Sequence, residues 1–177
     1  MISPLQLAGA YLLVSDFRFD LEATPEPSEC PLVLAVRGRE QARFTADAEV
    51  TPDVLPLALD LATVIEFDKA SSAEKGESIA FSLRLTLRLN PQELQPHTAL
   101  RAEAEWIGRF FAGGLPDEAD KRDEVLRIVR ANAAAMLYGM ARSHVLTLTH
   151  LVPGGAVLLP SISFKEVIEA EEALEAA

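Results

Sequence analysis

The sequence predicts an α+β fold: an antiparallel β-sheet of about four strands, with room for an extra one, followed by a long helix and a short C-terminal helix packed on one face. Three observations predict it. Residues 79–89 alternate large apolar with small or charged side chains without a break, residues 120–150 carry a long helical pattern, and every strand pattern precedes both helical ones. At 177 residues the chain is expected to be one domain, residues 1–177, long enough to form a core without disulfides or a metal staple.

The elements follow in order. In LVSDFRFDL, Leu13, Phe17, Phe19 and Leu21 share one face while Val14, Asp16, Arg18 and Asp20 share the other, the period-2 signature of a half-buried strand. ATPEPSECP breaks the chain, PLVLAVR is a short strand, and the polar stretch from Gly38 to Glu49 stays unassigned. VLPLALDLATVIEFD alternates Leu55, Leu57, Leu59 and Leu61, and Pro56 predicts a sheet edge or a bulge for this strand. SIAFSLRLTLRLN alternates from Ile79 to Leu89, NPQELQPH turns the chain, and TALRAEAEWIGRFF runs back with Leu100, Ala102, Ala104 and Trp106 on one face, so the two form a hairpin. Asp117 is placed to cap a helix from about Asp120 to His150, amphipathic at first through Val125, Ile128 and Val129. PGG ends it and AVLLP is extended. Ser163 with Glu166 forms a capping box, and Phe164, Val167, Ile168 and Leu174 make the single apolar stripe of the last helix.

Composition bounds the function. Acids outnumber bases 27 to 16, a formal charge of -11, which disfavours nucleic acid and anionic membranes because both demand a basic stripe. No apolar run reaches membrane-spanning length, and the apolar start is neither preceded by a basic residue nor followed by a small-residue cleavage pattern, so a cytoplasmic protein without membrane insertion is expected. The single cysteine, Cys30, cannot form an internal disulfide, in keeping with a reducing compartment.

Catalytic signatures are missing. The sequence has no glycine-rich phosphate loop, GxSxG elbow, HExxH or paired CxxC, so no catalytic residue, metal ligand or cofactor is expected. His97 falls in a turn, while His144 and His150 are six apart on the long helix, a spacing that does not set two imidazoles on one face. The acidic run Glu169, Glu171, Glu172 and Glu175 reads as a solvated helix face, Gly113-Gly114 and Gly154-Gly155 as element breakers. Arg18, Arg84, Arg88 and Arg101 on outer strand faces are expected to pair with Asp16, Asp20, Glu103 and Glu105, at about 0–1 kcal/mol for each exposed pair.

The long helix carries an apolar surplus. Winding Met136, Leu137, Tyr138, Met140, Val145, Leu146 and Leu148 at 3.6 residues per turn places them on nearly every side, and such a helix must be covered all round. The sheet covers one side and the short helix too little of the rest, so a second subunit is expected to supply the cover, a homo-oligomer with close approach at Ala134, Ala135, Gly139 and Leu146.

The chain resembles the bacterial protein-export chaperone family SecB. LLVSDFRFDLE, SIAFSLRLTL, TALRAEAEWIGRFF, MLYGMAR and VLLPSISFKEVI carry the resemblance in the family's order, over most of the chain except residues 30 to 75. Leu137, Tyr138, Gly139 and Met140 stand where the family has a Leu-Phe-Pro-Tyr-like stretch, and Val152, Pro153, Gly154 and Gly155 replace an aromatic-proline turn. The resemblance implies a holdase that binds unfolded or nascent polypeptide without ATP, for export or, as in SecB-like chaperones of toxin–antitoxin systems, for a specialised client. It also implies a homotetramer, a dimer of dimers. The client-groove residues are Met136, Tyr138, Met140, Val157, Leu159, Phe164 and Ile168, since adaptable Met and aromatic side chains suit promiscuous binding. In the family, acids on the outer sheet face dock the translocation motor SecA. Asp16, Asp20 and Glu103 match them, while Arg101 stands at an apolar contact position, so motor binding is expected to be reduced or absent. The competing expectations are a hot-dog-like small-ligand binder or thioesterase, disfavoured because that fold places its long helix early, and an oligomeric adaptor that binds no client.

Overall fold

The structure, a computed structural model, describes residues 5–20, 32–44, 57–68, 79–94, 98–116, 118–150 and 157–177. The α+β order holds. Six strands, β1 (Gln6–Phe19), β2 (Leu32–Val36), β3 (Arg39–Phe44), β4 (Leu57–Phe67), β5 (Ile79–Leu89) and β6 (Leu100–Ala112), precede α1 (Ala119–Thr149) and α2 (Phe164–Glu175). They form one sheet in the order β1-β6-β5-β4-β2-β3.

One strand goes beyond the four, or five with the extra one, that the sequence predicts. The unassigned stretch after Gly38 supplies β3, which forms a hairpin with β2 through Arg37 (φ 51) and Gly38 (φ 76). Two consecutive positive φ angles are what a two-residue hairpin turn of this hand requires. The hairpin docks with β2 parallel to β4, which makes the sheet mixed. It also removes β4 from the edge: β4 lies between β5 and β2, contrary to the position inferred from Pro56. Pro56 itself, Cys30, His97, Asp117 and the Gly154-Gly155 pair lie outside the described residues.

The alternation in β5 works as the sequence predicts. Ile79, Phe81, Leu83, Leu85, Leu87 and Leu89 are all buried on the helix-facing side, opposite Phe110, Trp106 and Ala104 of β6 and Leu59 and Leu61 of β4. Asn90, at φ 49, ends the strand: its side-chain Oδ1 accepts from Ala58 N at 2.7 Å and its Nδ2 donates to Leu100 O at 2.9 Å. α1 packs over β5 and β6, while α2 lies beside α1 over β2 and β4. Gly108 makes the close approach of α1 possible. A Cβ there would sit 2.6 Å from the Phe110 ring and 2.9 Å from Leu137 Cδ2, and neither lies at a distance real Cβ atoms tolerate.

β1 departs from strict alternation. Register shifts between Leu7 and Gly9 and between Leu12 and Val14 place bulges in the strand, and the second takes Leu13 out of the face it was expected to share with Phe17 and Phe19. Phe17 and Phe19 are half-buried, whereas Tyr11, Leu12, Leu13 and Val14 are exposed on a long edge strand.

A groove between the helices and an uncovered helix face

α1 has two faces, not one continuous apolar surface. Val129, Ala133, Ala134, Leu137, Tyr138, Ala141, Val145 and Thr149 turn inward, the spacing of a stripe that meets a sheet. The opposite face, Ile128, Asn132, Ala135, Met136, Gly139, Ser143, Leu146 and Thr147, is exposed and carries no charge. Even its hydroxyls are satisfied within the helix: Ser143 Oγ donates to Gly139 O at 3.1 Å and Thr147 Oγ1 to Ser143 O at 2.9 Å. Beyond the Asn132 carboxamide, what remains outward is methyl, thioether and backbone surface. A Cβ at Gly139 would meet nothing within 4 Å, so this point of closest approach is open.

On its sheet-ward side α1 reaches the edge strand through His144, whose Nε2 lies 3.1 Å from Ser15 Oγ and whose ring is edge-on to Trp106 at 5.8 Å between centroids. An apolar edge strand presents unpaired backbone groups as well as side chains, and so is itself a template for pairing.

Toward the N-terminal half, α1 and α2 enclose a groove of about 620 Å³. Ile128, Ala131 and Ile168 form its apolar floor, and Glu124, Arg127, Asn132, Lys165 and Glu169 its rim. Arg127 Nε ties the two walls through Glu172 at 3.1 Å.

α2 begins at Ser163, the expected N-cap, but without a side-chain capping bond; the capping position of α1 is Glu118, likewise without one. The N-terminal end of α2 is fixed by packing instead. Phe164 meets Tyr138 at 5.3 Å between ring centroids, and Tyr138 Oη donates to Pro160 O at 2.8 Å. Burial pushes the Tyr138 phenol well above its ordinary value, with Arg142 acting in the opposite direction. The folded chain therefore holds the phenol neutral where an unfolded chain ionises it, so the Tyr138 contribution to stability is constant below about pH 10 and declines as pH rises beyond it. Tyr138→Phe is expected to lose about 1 kcal/mol at neutral pH through the missing hydrogen bond and to flatten the alkaline decline, measured by urea unfolding at several pH values.

In the acidic run of α2, Glu169 and Glu175 are exposed as expected, but Glu171 is not. Glu171 is fully buried, accepting from Thr63 N and Thr63 Oγ1 at 2.5 Å each and from Arg130 Nη2 at 2.7 Å. Glu172 pairs with Arg127 and Glu175 with Arg37.

The expected client residues divide by exposure. Tyr138, Leu159, Phe164 and Ile168 are buried in the single chain, Met140 and Val157 are half-buried, and Met136 is exposed. Of these, Ile168 lines the groove, joined by Ala131 and by Ile128, which the periodicity of the first half of α1 marks only as part of an amphipathic stripe. Among the expected interface residues, Ala135, Gly139 and Leu146 lie on the uncovered face, whereas Ala134 turns into the core of its own chain.

On the outer sheet face Asp16 and Glu103 stand opposite each other in the β1–β6 register. They line a cleft of about 240 Å³ together with Arg18, Arg88, Arg101 and Glu93. Asp20 follows the end of β1, its N–H bonded to Ala99 O at 2.7 Å. Arg18 pairs with Asp16 at 2.7 Å and Arg84 with Glu105 at 2.8 Å, as expected, but Arg88 takes Asp60, a buried acid directly opposite it on β4, rather than one of the four expected acids. The patch is thus mixed in sign. Among the described residues no group of three or more His, Cys, Asp or Glu is disposed to hold a metal ion, and no helix is long and apolar enough to cross a membrane.

No protein-family model matches the sequence, and no curated protein matches it. Solved structures do. One is a SecB-like chaperone of Mycobacterium tuberculosis in complex with an antitoxin peptide, at 13% identity over 90% of this chain and 88% of that one, with a TM-score of 0.45. Another is a Streptococcus agalactiae protein of unknown function, at 12% identity over 90% of this chain and 98% of that one, with a TM-score of 0.46. What the chain does is therefore read from its own residues.

Proposed function

We propose that the chain is an ATP-independent holdase that assembles with copies of itself and keeps unfolded polypeptide from aggregating. The observation that carries this is the apolar groove of Ile128, Ala131 and Ile168, lying next to a helix face without charge. A groove with an apolar floor and a rim of both signs suits many sequences rather than one, since no single ligand charge is favoured. The uncovered half of α1 from Ala135 to Thr147 is uncharged, and one symmetric contact with a second copy covers it. Grooves repeated in an oligomer hold one long client at several points, which raises avidity without strong single contacts. The resemblance of the strand and helix segments to SecB agrees with this division of surfaces.

The test is suppression of aggregation of a reduced, unfolded model protein. Near-stoichiometric suppression is expected for the native chain, and Ile128→Asp, at a position 44% exposed and outside the core, is expected to weaken it at least ~5-fold by placing a carboxylate on the groove floor. A small-ligand binder or a client-free adaptor predicts no suppression at all. On the outer face, arginines interleaved with Asp16 and Glu103 are unfavourable to a SecA contact that needs a negative patch. Weak or absent heat in titration calorimetry with SecA is expected, and tight binding abolished by Glu103→Lys would contradict it.

A further inference from the structure

The two ends of α2 are held by different forces. Its N-terminal end is packed, through Phe164 on Tyr138. Its C-terminal half is held by charge. Glu171 is clasped by Thr63 of β4 and Arg130 of α1, and Arg37 Nε stands 3.6 Å away. Arg37 Nη2 also reaches Glu175 at 2.9 Å and Thr63 O at 3.1 Å. One arginine in the β2–β3 turn therefore touches β4 and two successive turns of α2.

The backbone at that arginine is unusual. Arg37 sits at φ 51, a left-handed conformation that glycine or asparagine adopts at lower cost, so the turn is strained in order to place a guanidinium. The cluster is also incompletely satisfied, because Arg130 Nε is buried with no hydrogen-bond partner among the described residues. Buried ion clusters of this kind add little net stability compared with an apolar replacement, but they fix one geometry strongly.

We propose that the β2–β3 turn is a latch on α2, with Arg37 fixing the C-terminal half of the helix on β4 and thereby setting the width of the groove at Ile168. This rests on the groove reading above. With Arg37 released, α2 pivots about its packed end at Phe164, the groove opens along Ile168, and the helix-facing side chains of β2 and β4 that α2 covers become reachable by an extended apolar segment.

Hydrogen exchange read by mass spectrometry tests the latch. Arg37→Gly removes the guanidinium and suits the positive φ, so the turn keeps its shape. Exchange over residues 164–175 is expected to quicken at least ~10-fold, with residues 79–89 and 100–112 unchanged, and affinity for a reduced, unfolded model protein is expected to rise severalfold. Glu175→Gln, which leaves the turn untouched and removes only the charge of the 2.9 Å arm, is expected to quicken the same segment less. Unchanged exchange over α2 in both variants overturns the latch, and so does a quickening that spreads equally to β5 and β6. Local quickening of α2 without binding of the unfolded protein by any form upholds the latch and overturns the client groove instead.

Discussion

Replacing Glu171 with alanine is expected to destabilise the chain by about 3–5 kcal/mol, because it strands the largely buried Arg130 rather than merely removing a contact. Arg130, whose side chain is 12% exposed, loses its only carboxylate partner among the described residues. Thr63 loses the acceptor for both its N–H and its hydroxyl, and Arg37 keeps only the exposed Glu175 arm and the Thr63 carbonyl. At roughly 2–4 °C per kcal/mol for a chain of this size, the melting temperature falls by about 6–20 °C. Urea unfolding measures the change directly. Glu175→Ala, by contrast, removes a carboxylate whose side chain is 55% exposed and is expected to cost about 0–1 kcal/mol, so a similar loss from both variants would mean that Glu171 is not the centre of the cluster.

The second large effect is on association. Leu146→Glu puts a carboxylate on the uncovered face of α1 at a position 39% exposed, where a single chain accommodates it in water and a covering copy does not. Self-association is expected to weaken at least ~100-fold, equivalent to about 2.7 kcal/mol, measured by sedimentation velocity. Gly139→Leu tests the same face by shape. The open space around Gly139 leaves the folded chain undisturbed, and the lost glycine favours the helix by about 0.8–1 kcal/mol, yet the larger side chain holds a second helix away. A smaller sedimenting species with unchanged or improved stability is the expected outcome. Unaltered mass in both variants would show that the assembly uses another surface.

Much of this arrangement is legible in the amino-acid order. The run from Ile79 to Leu89 alternates so regularly that its pairing with the strand before Gly113 follows from the turn between them, and the long helix is bounded to within a residue or two by its pattern. Other features are not legible, for physical reasons. Arg39 to Phe44 carries no alternation, because its strand character comes from the hairpin turn at Arg37-Gly38 and from docking beside β4, which are tertiary. The bulge between Leu12 and Val14 displaces Leu13 from its expected face without a glycine or proline at that point to announce it. Pro56 suggests an edge, yet β4 begins just after it and is paired on both sides.

The site shows the same contrast. Glu171 occupies the apolar stripe of α2, three residues after Ile168 and four after Val167, and an acid in that register is the signal that it is buried; its place in an acidic run hides the signal. Composition correctly marks surplus apolar surface on α1 but not its direction. The sheet takes one face, which includes Ala134 and Tyr138, and leaves Ala135, Met136, Gly139 and Leu146 uncovered. Which of two faces a sheet selects depends on the facing residues, here the gap at Gly108 that Leu137 fills.

The most direct test of the central claim is the mass of the native chain in solution. Native mass spectrometry across the micromolar range, checked by light scattering, is expected to give an even-numbered oligomer, a dimer or a dimer of dimers, that Leu146→Glu breaks down. A chain that stays fully folded and strictly monomeric throughout that range, with Leu146 and Met136 left in water, would contradict it.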